Sequence, residues 1–265
     1  MFEYKYLYPS SMLAPFVKNY WFLRTFSSEP AKQRVIPYGT INIMIHRGGL
    51  PYDIFNGCNQ SRSFICGQTT SYSDLTVEGI TDMVCITFTP HGARAFVPFP
   101  VNELKNISVP LYSSGIQWLV DLEKRIQEAH DGLSLKKIID ECLSNHIRED
   151  AFPNHNRMSY AVNLIESGQA DVSRIAKHTC LSNKQFNRIF SSYVGTNPKE
   201  FICIVRYQKA LALMQAGTRD LTSVSLDSGY YDQSHMDRDF KKFTGFTPSG
   251  YLKTSCPYSD YFDNL

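Results

Sequence analysis

Two tryptophans, seven cysteines and no long apolar stretch set the first limits on this 265-residue chain. The cysteines, at 58, 66, 85, 142, 180, 203 and 256, are scattered, odd in number and never spaced C-x-x-C. That pattern supports neither a disulfide framework nor a zinc site, and it fits reduced thiols in a cytosol. No apolar run approaches the roughly 18–20 residues that span a bilayer. The opening MFEYKYLYPSS lacks the apolar centre of a secretory signal. A cytoplasmic setting without a membrane partner is the expectation.

Catalytic signatures are equally scarce. His46, His91, His130, His146, His155, His178 and His235 stand alone, so no pair has metal-ligand spacing. A Gly-rich phosphate loop, a G-x-S-x-G elbow and a paired-acid signature are all missing. These absences argue against an enzyme and point to no cofactor and no metal.

What is present divides the chain. The overall charge of +2 hides a split: residues 155–255 hold 13 Lys/Arg against 8 Asp/Glu, a net +5, which leaves −3 elsewhere. A basic segment beside a near-neutral one suits a nucleic-acid-binding module joined to a sensor. Residues 1–110 read as short strands rich in β-branched and aromatic residues, at 19–26, 41–46, 63–67 and 82–89. Many short strands with turn signals predict a barrel or sandwich. From Ser114 the apolar period becomes helical, giving a hairpin of helices over 115–129 and 134–146. The polar stretch 149–157 reads as a linker between domains at 1–150 and 155–255. The fold class is therefore α+β, a β-rich half followed by an all-helical one.

The helical half contains a repeat. FNRIFSSYVGTNPKEFI at 186–202 aligns with MDRDFKKFTGFTPSGYL at 236–252, placing Arg188 with Arg238, Phe190 with Phe240, Gly195 with Gly245 and Pro198 with Pro248. Each copy ends a helix at Gly and restarts with Pro just inside the next. Upstream of each lies a short apolar helix and a tight turn, so two helix-turn-helix units are predicted, at about 171–193 and 220–243. Asp171, Ser182 and Asp232 are the expected N-caps. A helix over 198–216, without internal Gly or Pro, spaces them by about 28 Å, suited to successive major-groove segments about 34 Å apart. The outward residues are Asn183, Lys184, Gln185, Asn187 and Arg188 in the first unit. In the second they are Gln233, Ser234, His235, Asp237 and Arg238, with Lys241 and Lys242 one turn on. Arg reads guanine, Asn and Gln read adenine, and Lys and Ser hold phosphate.

On Ile175-Ala176, Ser182, Arg188, Phe190, Gly195, Pro198, Arg206, Ala210, Gly229-Tyr230, Arg238, Phe240, Gly245 and Pro248, residues 157–253 resemble the AraC/XylS-type DNA-binding domain. The resemblance implies seven helices and transcriptional regulation on a bipartite site in double-stranded DNA. It carries base reading to Lys184, Asn187 and Arg188, and to Gln233, Ser234 and Arg238. Three residues depart from the pattern. Asp237 and Asp239 bring carboxylates to the second recognition helix, and Ser225 stands where a small apolar residue is usual. The first unit is therefore expected to supply most discrimination.

The front half resembles the β-rich, cupin-like sensor domains joined to such regulators, through APFVKNYWFLR (14–24), RVIPYGTINIMIH (34–46) and FTPHGARAFVPFPVNEL (88–104). That likeness implies a small-molecule effector, with Trp21, Arg34, Tyr38, Asn42, His46 and Arg94 as residues able to line its pocket. RNA polymerase and a second copy of the chain are the protein partners it implies. The alternative is a front half that senses a protein or dimerises without an effector, using the amphipathic helix 115–129. The plainer reading packs that helix on its own domain.

Overall fold

The computed structural model describes residues 3–129, 132–217 and 220–253; Cys256 and the turn at 130–131 lie outside them. The front half is one antiparallel sheet with strands β1 (Glu3–Leu7), β2 (Val17–Val35), β3 (Asn42–His46), β4 (Tyr52–Asp53), β5 (Cys58–Asn59), β6 (Ser63–Cys66), β7 (Ser73–Phe88) and β8 (Ser108–Pro110). Its hydrogen-bonded order is β1-β2-β7-β3-β6-β8, with β4 and β5 off the path. No described pairing joins β1 to β8, so the path is open rather than closed into a barrel. The expected strands at 19–26 and 82–89 are the central parts of β2 and β7, which pair over nearly their whole length.

Side-chain alternation gives the sheet two buried faces. Tyr20, Ile43, Ile45, Val84 and Ile86 lie on one, in the largest core cluster. Trp21, Leu23, Met83 and Cys85 lie on the other, packed with Tyr4, Tyr6 and Met44. Two helices follow, α1 (Gln117–Glu128) and α2 (Gly132–Ser144). Leu119, Leu122 and Ile126 of α1 are fully buried in the same core as the sheet. The apolar face of α1 is thus occupied within its own domain, as the plainer reading has it.

The polar stretch 149–157 forms no extended linker. A 3-10 turn at Glu149–Ala151 leads directly into α3 (Phe152–Glu166), because Pro153 sits in the first turn, where its missing N–H costs nothing. Phe152 and His155 of that turn pack on Phe16 at ring distances of 5.9 and 4.5 Å. The remaining helices are α4 (Val172–His178), α5 (Asn183–Val194), α6 (Pro198–Gln215), α7 (Leu221–Asp227), α8 (Gln233–Thr244) and α9 (Pro248–Tyr251). With α3 they make the seven expected helices among the described residues.

Two cores divide this helical half. Ile175, Ala176, Phe186, Phe190, Tyr193, Val194, Phe201 and Ile202 belong to the cluster that also contains the sheet. From Ile204 onward the buried side chains, including Tyr207, Val224, Met236, Phe240 and Phe243, form a second cluster joined from the front half by Ile36. Aromatic burial of this kind is worth several kcal/mol per side chain (roughly 3–5 on truncation). The boundary falls inside α6, between Ile202 and Ile204.

Candidate nucleic-acid interface and adjoining cleft

Each helix-turn-helix unit is built from its caps. Asp171 Oδ1 accepts the Ser173 and Arg174 amides at 2.9 and 3.2 Å, and Asp220 Oδ1 accepts those of Thr222 and Ser223 at 2.9 and 3.0 Å. The expected cap Ser182 forms a reciprocal box with Gln185 at the start of α5. Asp232 caps α8 from one side only, accepting the His235 amide at 2.7 Å, because His235 cannot return the bond as Gln185 does. In the first turn Cys180 holds φ 56°, and in the second Gly229 holds φ 86°. A side chain in that left-handed region is strained, and glycine is not. Gly195 and Gly245 end α5 and α8 at φ 93° and 77°, the left-handed stop that frees the chain to turn into the next helix.

In α5 all five outward residues are exposed, though three of them are held by local hydrogen bonds. Gln185 gives its Oε1 to the cap. Asn183 donates to Ser173 Oγ at 3.1 Å, and Asn187 folds back onto the Asn183 carbonyl at 2.7 Å. In α8, Ser234, Arg238, Lys241 and Lys242 are exposed, and Lys242 Nζ lies 5.1 Å from the Phe243 ring. Gln233 accepts a long bond from Thr222 at 3.5 Å. His235 turns edge-on to Tyr230, with ring centroids 5.0 Å apart.

The two carboxylates of α8 occupy different surroundings. Burial raises the pKa of both Asp237 and Asp239. Asp239 is also drawn the other way by Tyr230, His235, Lys242 and Arg206, so it faces back toward α6. Asp237 Oδ1 is buried and has no hydrogen-bond partner among the described residues. The departure at Ser225 is absorbed locally: the residue is fully buried, and its hydroxyl donates to the Thr222 carbonyl at 2.7 Å.

The front half grips the ends of both recognition helices. A Cβ on Gly195 would meet Gln68 Cγ at 3.0 Å, and one on Gly245 would meet Arg34 Nη1 at 2.8 Å and Tyr72 Cζ at 2.9 Å. Arg34 donates Nη1 to the Thr244 carbonyl at 2.7 Å and forks onto both oxygens of Asp74 at 2.6 Å. Its guanidinium lies 4.1 Å from the Tyr72 ring centroid and 4.8 Å from that of Phe246. Lys105 reaches both Glu200 oxygens at 2.7 and 2.8 Å. Arg34, a candidate for the effector pocket, is therefore placed as a bolt between the halves.

The other effector candidates are dispersed. Trp21 is 2% exposed, within the second face of the sheet. His46 is fully buried, its Nε2 3.2 Å from Gln60 Oε1, and burial lowers its pKa to about 4. Arg94 donates to the Val97 carbonyl at 2.8 Å and lies 3.6 Å from Asp150. Only Tyr38 and Asn42 meet, and they do so in a cleft of about 420 Å³ between the sheet and α6. Its charged residues are Lys18, Glu166 and Lys209, none of which sequence pattern singles out. Lys18 sits at the register shift of β2, between Val17 and Asn19, where a bulge re-aims a side chain. Crowding lowers the Lys18 pKa, opposed by Glu166, and raises that of Glu166, opposed by Lys18. Yet both side chains reach solvent.

Two family models match separate parts of the chain. Residues 5–110 match a domain of unknown function, DUF6597, and residues 175–254 match a helix-turn-helix domain. An uncharacterised helix-turn-helix-type transcriptional regulator of Haemophilus influenzae is 28% identical over 93 residues, 34% of this chain and 31% of that protein. The arabinose operon regulatory protein of Escherichia coli is 29% identical over 101 residues, 37% of this chain and 35% of that protein. The chain spans about a third of the length of the curated relatives it matches. Among solved structures, ToxT from Vibrio cholerae O395, bound to (E)-4-(8-methylnaphthalen-1-yl)but-3-enoic acid, aligns with a TM-score of 0.47. It is 12% identical over 94% of this chain and 98% of that one.

Proposed function

From the premise that residues 175–254 form an AraC-type helix-turn-helix domain, we propose that the chain is a sequence-specific transcriptional regulator controlled through its front half. The observation that carries this reading is the matched pair of recognition helices. Each is capped by a side chain, stopped by a left-handed glycine and armed with exposed cations. Arg188 and Arg238 reach base edges in the major groove, while Lys184, Lys241 and Lys242 neutralise phosphate. RNA polymerase and a second copy of the chain are the protein partners that such a regulator would engage. Control passes through the contacts of Arg34 and Gln68 with the ends of α8 and α5, and through a small effector in the cleft.

Selection of the full chain against a random DNA library tests the reading. The expected product is a bipartite motif whose segments lie about one helical turn apart, with affinity falling as salt rises because phosphate contacts release counterions. Recovery of no motif at low salt, with and without cell extract metabolites, would sink it.

A further inference from the structure

We propose that the cleft between the sheet and α6 is a binding site for a zwitterionic ligand of the α-amino-acid type. Glu166 would take the ammonium group, and Lys18 and Lys209 the carboxylate. The proposal rests on the reading of the chain as an effector-controlled regulator, and it names the class of effector.

The charges in the cleft select the ligand. Two lysines and one glutamate line it; Lys18 and Glu166 attract each other across the cleft, but none of the three lies within ion-pair distance of an opposite charge among the described residues. A bare anion would meet the Glu166 carboxylate, and a bare cation would meet two ammonium groups. A molecule bearing both charges a few ångströms apart satisfies all three. The volume of about 420 Å³ lies in the range of small-molecule sites.

Polar capacity is also left over on the floor. The Asn42 amide donates to Thr40 Oγ1 only at 3.4 Å, and its other partners are thiols, Cys85 Sγ at 3.8 Å and Cys66. Both distances are at the weak end of hydrogen bonding, so the amide retains bonds for a ligand. The opposite wall is apolar, with Phe201, Ile204 and Val205 of α6, and it would cover the ligand's side chain. Because those three residues straddle the boundary between the two cores, a ligand there touches the segment that sets the two recognition helices apart.

The test uses the full chain and follows its melting temperature. The probes are the free proteinogenic amino acids, the N-acetyl and carboxamide forms of each, and plain carboxylates of equal length. At least one free amino acid is expected to raise the melting temperature by roughly 3–5 °C at ten times its dissociation constant. Blocking either end should weaken binding at least tenfold. Glu166→Gln should weaken the free amino acid tenfold while leaving its N-acetyl form unchanged, and Lys18→Met should do the same for the carboxamide pair. Equal binding of a plain carboxylate, equal binding of the blocked forms, or no response to any amino acid would each overturn the proposal. The series on the unaltered chain decides even if a variant fails to fold. DNA selection on the same protein separates the two readings. A motif without amino-acid binding sinks the ligand alone, and amino-acid binding without a motif sinks the regulator alone.

Discussion

Beneath the first helix-turn-helix unit lies the core of the sheet domain; beneath the second lies, apart from Ile36, a core of its own. The recognition helices also differ in charge. Helix α5 carries Lys184 and Arg188 with no carboxylate, whereas α8 carries three cations, Arg238, Lys241 and Lys242, against Asp237 and Asp239. One unit shares its core with the front half and carries no carboxylate on its recognition helix, and the other has chiefly its own core and mixed charge. A repeat in sequence can therefore rest on two different foundations, one head on the core of the front half and one chiefly on its own, with the front half holding the ends of both recognition helices.

The largest test of this difference is a matched truncation. Phe190→Ala and Phe240→Ala should each cost about 3–5 kcal/mol, but in different places. Both tryptophans, Trp21 and Trp118, lie in the front half, so their fluorescence reports on its unfolding. Phe190→Ala is expected to lower that transition strongly, and Phe240→Ala to leave it nearly unchanged. Equal shifts would mean that the two cores melt as one.

Acid should separate the units next. His46 and His91 have pKa values lowered by burial to about 4 and about 3, and burial also lowers that of His155, which packs 4.6 Å from His91. Each folded value lies below the ordinary 6.5, so folding favours the neutral ring. The contribution is complete above about pH 6.5 and is lost as pH falls toward 4 and then 3. All three histidines lie outside the second unit. The front half should weaken by about 3 kcal/mol for each of His46 and His91 by pH 4, and His91→Phe should flatten the decline in a denaturant titration. A pH-independent midpoint would contradict this.

Smaller effects refine the comparison. Arg34→Ala removes the bolt on Thr244 and should cost about 1.5–3 kcal/mol. Amide exchange should then accelerate across 233–245 and stay unchanged across 183–194. Arg188→Ala should cost roughly 1–3 kcal/mol of discrimination at one base position; Arg238→Ala should cost less, and the reverse order in a randomised-site assay would reassign the dominant head. Smallest of all, Cys180→Gly should stabilise the first unit by about 0.5–1 kcal/mol by relieving its left-handed backbone, read as a shift in denaturant midpoint.

The helical half was largely legible because its signals are local. Caps at Asp171, Ser182 and Asp232, the stops at Gly195 and Gly245, and the inward Phe190 and Phe240 all follow from short-range chemistry. The cap at Asp220 was missed, although it repeats Asp171 forty-nine residues on. The start of α3 was hidden by polar residues whose partner, Phe16, lies far off in the chain. Long-range assembly was illegible for the same reason. Lys18, Glu166 and Lys209 come from three elements, and nothing local distinguishes them from surface charges. The bond from Arg34 to Thr244 joins residues 210 apart in sequence, so no local pattern announces it. The outward residues of α5 are all exposed, whereas in α8 Gln233, His235 and Asp237 are only half-exposed.

One consequence of α6 concerns the genome rather than the protein. The helix runs unbroken from Pro198 to Gln215, about 27 Å at 1.5 Å per residue, and the change of core falls within it. With α6 unbroken between the two units, the separation and phase of the heads should be nearly fixed. One base pair inserted between the two half-sites rotates one of them by about a tenth of a turn, which a stiff spacer cannot follow. If the chain is the regulator proposed above, its promoters should share a strict spacing between half-sites while tolerating drift in the letters read by α8, so gap length would identify its targets better than sequence alone.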